Sequence, residues 1–147
     1  MAANRNLDRY LAFGHPVLTD REGGFAGPLA GLHAGLGQAR SELVMMAPCD
    51  SPLLPADLVK RLVAALERED AEVAVARTRD RAHPVFCLCR ATLLDHLTAF
   101  FESGGRKVEA WYSSLRVTEV DFEDQAEAFR NINTLEELAE LEQQRYR

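Results

Sequence analysis

Glu42–Glu67, "ELVMMAPCDSPLLPADLVKRLVAALE", runs from an apolar stretch through a proline-punctuated loop into an amphipathic repeat. "ELVMMA", Glu42–Ala47, is continuous and of strand length, as expected for a parallel strand covered on both faces, and it reads as the central strand of its sheet. In "APCDSPLLP", Ala47–Pro55, a single aspartate, Asp50, stands between a cysteine and a serine among three prolines. From Pro55 onward Leu58, Val59, Leu62, Val63 and Leu66 recur at helical spacing, with Pro55 suited to a first turn and Asp57 near the favourable end of the dipole.

Before this stretch, "HPVLTD", His15–Asp20, reads as a short strand, and "REGGFAGP" as a glycine-rich loop. "PLAGLHAGLGQAR", Pro28–Arg40, opens a helix on a proline, and its Gly31, Gly35 and Gly37 predict close packing against a neighbour. After it, "AEVAVAR" and "HPVFCLCR" are two strands separated by the short connection "TRDRA". Leu93, Leu94, Leu97, Phe100 and Phe101 mark one helical face, "ESGGRK" interrupts it, and a second helix is expected around Lys107 to Leu115. "RVTEVDF" alternates like a strand. In "NTLEELAELEQQ" a Thr134-x-x-Glu137 capping box opens a terminal helix, with Leu135 and Leu138 expected on its inner side. Strands and helices thus interleave without a repeat, which implies an α/β sandwich around a largely parallel sheet with one antiparallel member, whose ligands sit beyond the carboxyl ends of the strands.

Composition bounds the function. The chain has 147 residues, 47% of them apolar and 27% charged, which suits one globular domain, or most of one. A net charge of −6 without a stripe of lysine or arginine argues against nucleic acid as a partner. No apolar run approaches the roughly 20 residues of a membrane span, and "MAANRNLDRY" lacks a signal-peptide pattern, so the expected location is the cytoplasm. Cys49, Cys87 and Cys89 show no zinc-type spacing and read as reduced, partly buried thiols.

Several side chains could carry chemistry. Asp50 lies past the end of a strand, where its carboxylate suits magnesium, and the same residue would equally cap the next helix or close a turn. Asp20 occupies the equivalent place after "HPVL", so two carboxylates could converge at one sheet edge. His83, before Pro84, could hydrogen-bond a polar or anionic ligand, or be simply solvated. Arg106 and Lys107 beside two glycines could meet a phosphate, or be exposed cations at a helix start. Asn131 and Asn133, two apart in "RNINT", share a face if extended and could read a heterocycle with their amides, or serve as turn and cap residues. Ser51 has no Gly-x-Ser-x-Gly frame, which sets hydrolysis aside.

With these residues in place, the chain resembles the molybdenum cofactor guanylyltransferases, a branch of the Rossmann-like nucleotidyltransferases. The likeness spans essentially all 147 residues and rests on "VLTD" leading into "GPLAGL", on "APCDSPLLPADL", "HPVFCLCR" and "SGGRKV", and on "FRNINTLEEL". It implies a single nucleotidyltransferase-like domain over residues 1–147 with a mostly parallel sheet flanked by helices. The implied reaction joins GMP from GTP to molybdopterin, the pterin's terminal phosphate attacking the α-phosphate with Mg2+ present. By the same resemblance Asp50 is the catalytic and magnesium-binding aspartate that also meets GTP, and Asp20 contacts the guanine nucleotide. Asn131 and Asn133 face the pterin, with His83, Arg106 and Lys107 in the same half of the site. Serine after Asp50, where the related cytidylyltransferases carry glutamine, leans toward guanine.

The resemblance also has a gap. Members of the family begin with a strand, a Leu-Ala-Gly-Gly loop, an Arg-Met-Gly turn and a lysine; "LAFG", Leu11–Gly14, is not that loop, and Ala2 stands where a nucleotide-contacting asparagine is expected. The implied fold is therefore N-terminally truncated, with two-thirds or more of the family fold present and apolar surface uncovered at the sheet edge. Such a chain is expected to bind GTP poorly and to transfer guanylate slowly or not at all when isolated. Self-association over that edge, or a molybdoenzyme-maturation protein, would cover it. The alternatives are a non-catalytic molybdopterin-binding remnant or carrier, and a nucleotidyltransferase that uses CTP or a sugar phosphate.

Overall fold

The computed structural model describes residues 6–19, 27–79 and 81–145. Its helices are Leu7–Leu11 (α1), Pro28–Gln38 (α2), Leu58–Arg68 (α3), Leu94–Glu102 (α4), Val108–Tyr112 (α5) and Leu135–Arg145 (α6). Its strands are Leu43–Met46 (β1), Val73–Thr78 (β2), Arg81–Arg90 (β3) and Val117–Asp121 (β4), which form one sheet in the order β1-β3-β2-β4.

β2 and β3 are a hairpin, turned beside Arg79, which holds φ 47° as tight two-residue turns require. The hairpin makes β3 antiparallel to β2, and β3 then pairs antiparallel with β1, Leu43 opposite Arg90 and Met46 opposite Cys87. β2 and β4 are parallel, from Val73 opposite Val117 to Arg77 opposite Asp121. β1, β2 and β4 therefore share one direction and β3 opposes them. In consequence the carboxyl ends of three strands and the amino end of β3 meet at one edge of the sheet. The alternating side chains enter two cores. Val73, Val75, Cys87 and Cys89 pack with Leu29, Leu32 and Leu36 of α2, Leu97 and Phe101 of α4 and Trp111 of α5. On the other face Ala74, Ala76, Phe86 and Leu88 meet Leu58, Leu62 and Leu66 of α3, with Phe122 and Phe129. Helices thus cover both faces, the α/β sandwich that the interleaved pattern implied.

Four local expectations change. β1 is an edge strand of the described sheet and only half-buried, because β3 folds back between it and β2 and takes the middle position. Among the described residues of "HPVLTD", 15–19, there is only a bridge at Leu18 and no ladder, and α1 precedes them. Pro55 lies in the turn before α3, its carbonyl accepting the Leu58 N–H at 3.1 Å. In α6 the capping box is present: Glu137 N–H donates to Thr134 Oγ1 at 3.1 Å, and Glu137 Oε2 accepts from the N–H groups of Asn133 and Thr134. Yet Leu135 is 80% exposed and Leu138 39%, because no described element packs over that side of the helix.

Candidate functional site

The shared edge collects side chains from distant parts of the chain. Beyond β1 the chain passes through Ala47, Pro48 and Cys49 to Asp50, whose backbone carbonyl accepts the N–H of Ile132 at 2.7 Å. Ser51, 3% exposed, donates from Oγ to Oδ1 of Asn131 at 3.0 Å. Two adjacent residues of the first loop are therefore bonded to two adjacent residues of the segment that leads into α6. The Asp50 carboxylate itself has a buried oxygen, Oδ1, with no hydrogen-bond partner among the described residues. Buried polar atoms are nearly always paired, so an orphan of this kind points to a ligand or stored strain.

His83 owes its position to an irregularity in β3. Val75 faces Cys87 while the next residue, Ala76, faces His83, so Pro84, Val85 and Phe86 bulge out of the ladder. A proline has no N–H to give a ladder and belongs at such a place. The Pro84 carbonyl accepts the Tyr112 hydroxyl at 2.7 Å, which braces the bulge from α5. The His83 ring lies 4.9 Å from that of Phe129, nearly parallel at 20°, and its Nε2 is 2.7 Å from Thr78 Oγ1. Burial, and next the charge of Arg81, lower the His83 pKa below its ordinary 6.5, so the ring is neutral at pH 7.

Two clefts flank these residues. One, of about 510 Å3, runs beside β1 and is lined by Leu18, Gly31, Gly35, Met46, Cys49 and Asp50, among others. The other, of about 440 Å3, is lined by Arg81, His83, Phe129, Arg130, Asn131 and Asn133, and Val85 borders both. The structure thus brings His83, Asn131 and Asn133 to one cleft and puts Asp50 on the neighbouring one. Asp20 lies outside the described residues. Arg106 and Lys107 line neither cleft: Arg106 donates to the Phe101 carbonyl at 3.0 Å, across the end of α4, and Lys107 directly precedes α5.

Phe129, Arg81 and Arg130 were not singled out by sequence reasoning. Phe129 and Arg130 immediately precede "NINT", and their place in the same segment was the available signal. Cys49 is exposed, whereas Cys87 and Cys89 are buried free thiols, and burial pushes the Cys87 thiol up to about 11. These are core groups rather than nucleophiles. Among the described residues no three His, Cys, Asp or Glu side chains gather into a metal cage, and no helix is long and apolar enough to cross a membrane.

Residues 1–118 match the family described as a MobA-like NTP transferase domain. A protein of Cupriavidus metallidurans named molybdenum cofactor guanylyltransferase is 54% identical over 141 residues, covering 92% of this chain and 69% of its own length. One of the same name from Shewanella loihica is 45% identical over 139 residues, covering 95% of this chain and 71% of its own. Among solved structures, molybdopterin-guanine dinucleotide biosynthesis protein A from Archaeoglobus fulgidus superposes with a TM-score of 0.73 at 20% identity, over 95% of this chain and 74% of that one. The bifunctional IspDF from Campylobacter jejuni gives 0.61 at 17% identity, over 91% and 39%. At those identities the structural likeness speaks for the fold.

Proposed function

The chain belongs to the MobA-like NTP transferase domain family, and from that membership we propose that it is a guanylyltransferase, moving GMP from GTP onto molybdopterin and releasing pyrophosphate. The names carried by relatives at 54% and 45% identity support this reading. In the transfer, an oxygen of the pterin's terminal phosphate forms a bond to the α-phosphorus of GTP, and the bond to the bridging oxygen breaks, its electron pair leaving with pyrophosphate. Little covalent work falls to the protein; it holds two anionic substrates in line.

One observation carries the assignment of Asp50: its Oδ1 is buried and unpartnered at the edge where the two clefts adjoin. A hard cation would satisfy that oxygen. Magnesium characteristically uses one or two carboxylates and takes the rest of its shell from water and substrate phosphates, which suits a lone Asp50 better than a full protein cage. Bound there, Mg2+ would neutralise charge on the triphosphate. Asp20 is assigned to GTP. His83, Asn131 and Asn133 are assigned to the pterin, a flat heterocycle rich in hydrogen-bonding groups that suits a cleft with an aromatic wall and two carboxamides. Arg81 and Arg130 supply positive charge in that cleft for the pterin's phosphate, and Arg106 and Lys107 keep the acceptor-half role implied by resemblance. All 147 residues act as one domain in the cytoplasm.

The test is a single-turnover incubation with the protein in excess over molybdopterin, in the presence of Mg2+ and either GTP or CTP. Pyrophosphate in proportion to the pterin is expected with GTP only. Asp50→Asn should lower the rate by about 100-fold or more, the scale of losing one transition-state electrostatic contact. Release with CTP instead, or neither release nor molybdopterin binding, overturns the reading.

A further inference from the structure

The contacts of Ser51 assign it a task on the acceptor side of the site. We infer that Ser51 is a positioning residue that locks the Asn131 carboxamide in the orientation needed to bind the acceptor substrate, so that the loop carrying Asp50 and the segment carrying Asn131 and Asn133 behave as one unit. This rests on the guanylyltransferase reading for the identity of that acceptor.

Ser51 is one of two polar side chains buried among the described residues, and a buried hydroxyl is kept only where it has a partner. Its partner is Asn131 Oδ1, 80 positions away in sequence, at 3.0 Å. By donating to Oδ1 it occupies the acceptor end of the carboxamide and leaves the two Nδ2 hydrogens for the cleft that Asn131 lines with His83 and Asn133. Asn131 is otherwise exposed, and an exposed asparagine would have to give up its rotamer freedom each time it engaged a ligand. The second bond, Ile132 N–H to the Asp50 carbonyl at 2.7 Å, fixes the register, so the backbone of Asp50 moves with Asn131. The residue after the magnesium-type aspartate thus acts on the pterin through Asn131. Glutamine at that position would be too long to occupy the same buried space.

Two readouts decide this on Ser51→Ala, Ser51→Thr, Asn131→Ala and the double variant S51A/N131A. Without any ligand, the side-chain amide signals of Asn131 should move in Ser51→Ala, and hydrogen exchange at the Ile132 N–H should speed up about tenfold, while Ser51→Thr stays close to the unmodified protein. An Asn131 signal that Ser51→Ala leaves unmoved overturns the latch. In anaerobic titrations with molybdopterin, Ser51→Ala and Asn131→Ala should each weaken binding about tenfold, the double variant no more than the worse single, and Ser51→Thr should restore it. Additive losses, or a loss of GTP affinity in place of pterin affinity, also overturn the proposal. If the unmodified protein binds no molybdopterin, the guanylyltransferase reading falls, and the Asn131 signal still decides whether the latch exists.

Discussion

The middle of the sheet and the rim above it are built on opposite terms. In β2 and β3, Val73, Ala74, Ala76, Cys87 and Cys89 are wholly buried, and helices cover them from both sides. At the rim, Asp50 buries a carboxylate oxygen without a partner, and Asn131 and Asn133 stand exposed. The first arrangement lowers the free energy of the fold; the second leaves one buried oxygen, Asp50 Oδ1, less well satisfied than water would. The contrast teaches where a substitution should register: changes in the sheet's cores on stability alone, changes at the rim on ligand binding, with stability unmoved or even improved.

Leu62 gives the largest effect and the clearest way to break that division. It is fully buried in α3 against Ala74 and Phe122, so Leu62→Ala loses its transfer free energy and leaves a cavity, a cost of about 2–5 kcal/mol in a denaturant titration. The fraction that remains folded should bind molybdopterin as before. A weakened affinity in that fraction would show that the core and the rim are not separable.

Asp50 supplies the effect of opposite sign. Asp50→Ala removes a buried, unpartnered oxygen from a residue that is itself only half-buried, so little packing is lost with it. A gain of about 1 kcal/mol in unfolding free energy is expected in magnesium-free buffer, together with loss of guanylate transfer. A destabilised Asp50→Ala protein would mean that the carboxylate serves the loop, as a cap or turn residue does.

The same division explains what the sequence discloses. Periodicity reports burial, so α3, the β2 and β3 runs and the α4 stripe of Leu97 and Phe101 were legible from apolar spacing alone. Pairing is not a local property. The apolar run of β1 read as central because it is continuous, yet its place in the sheet depends on where β3 folds, which no spacing within Leu43–Met46 records. Leu135 and Leu138 mislead for a related reason: apolar residues mark an inner face only where another element is there to cover it. At the site, Asp50, His83, Asn131 and Asn133 were singled out one at a time by residue type and position. The Ser51–Asn131 bond spans 80 residues and left no short-range trace. Nor did the aromatic wall at Phe129, which exists only because the bulge at Pro84 brings His83 over it.

His83 belongs to both regions, and its titration gives the finest measure of the boundary between them. The ring stacks on Phe129, a core residue, and also lines the cleft it shares with Asn131 and Asn133. Burial first, and then the neighbouring charge of Arg81, disfavour the imidazolium and lower its pKa below 6.5. The unfolded chain consequently takes up this proton at a higher pH than the folded one. The contribution to stability is fully present above pH 6.5 and is lost as the pH falls through the folded-state value. Proton NMR of the His83 ring should place its midpoint under 6.5, with Arg81→Gln moving it upward by relieving only the smaller of the two causes. A midpoint at or above 6.5 in the unmodified protein would put the imidazole in water and assign His83 to the rim alone. A depressed midpoint that rises when molybdopterin binds would instead show the anionic substrate arriving beside a ring that the core had kept neutral.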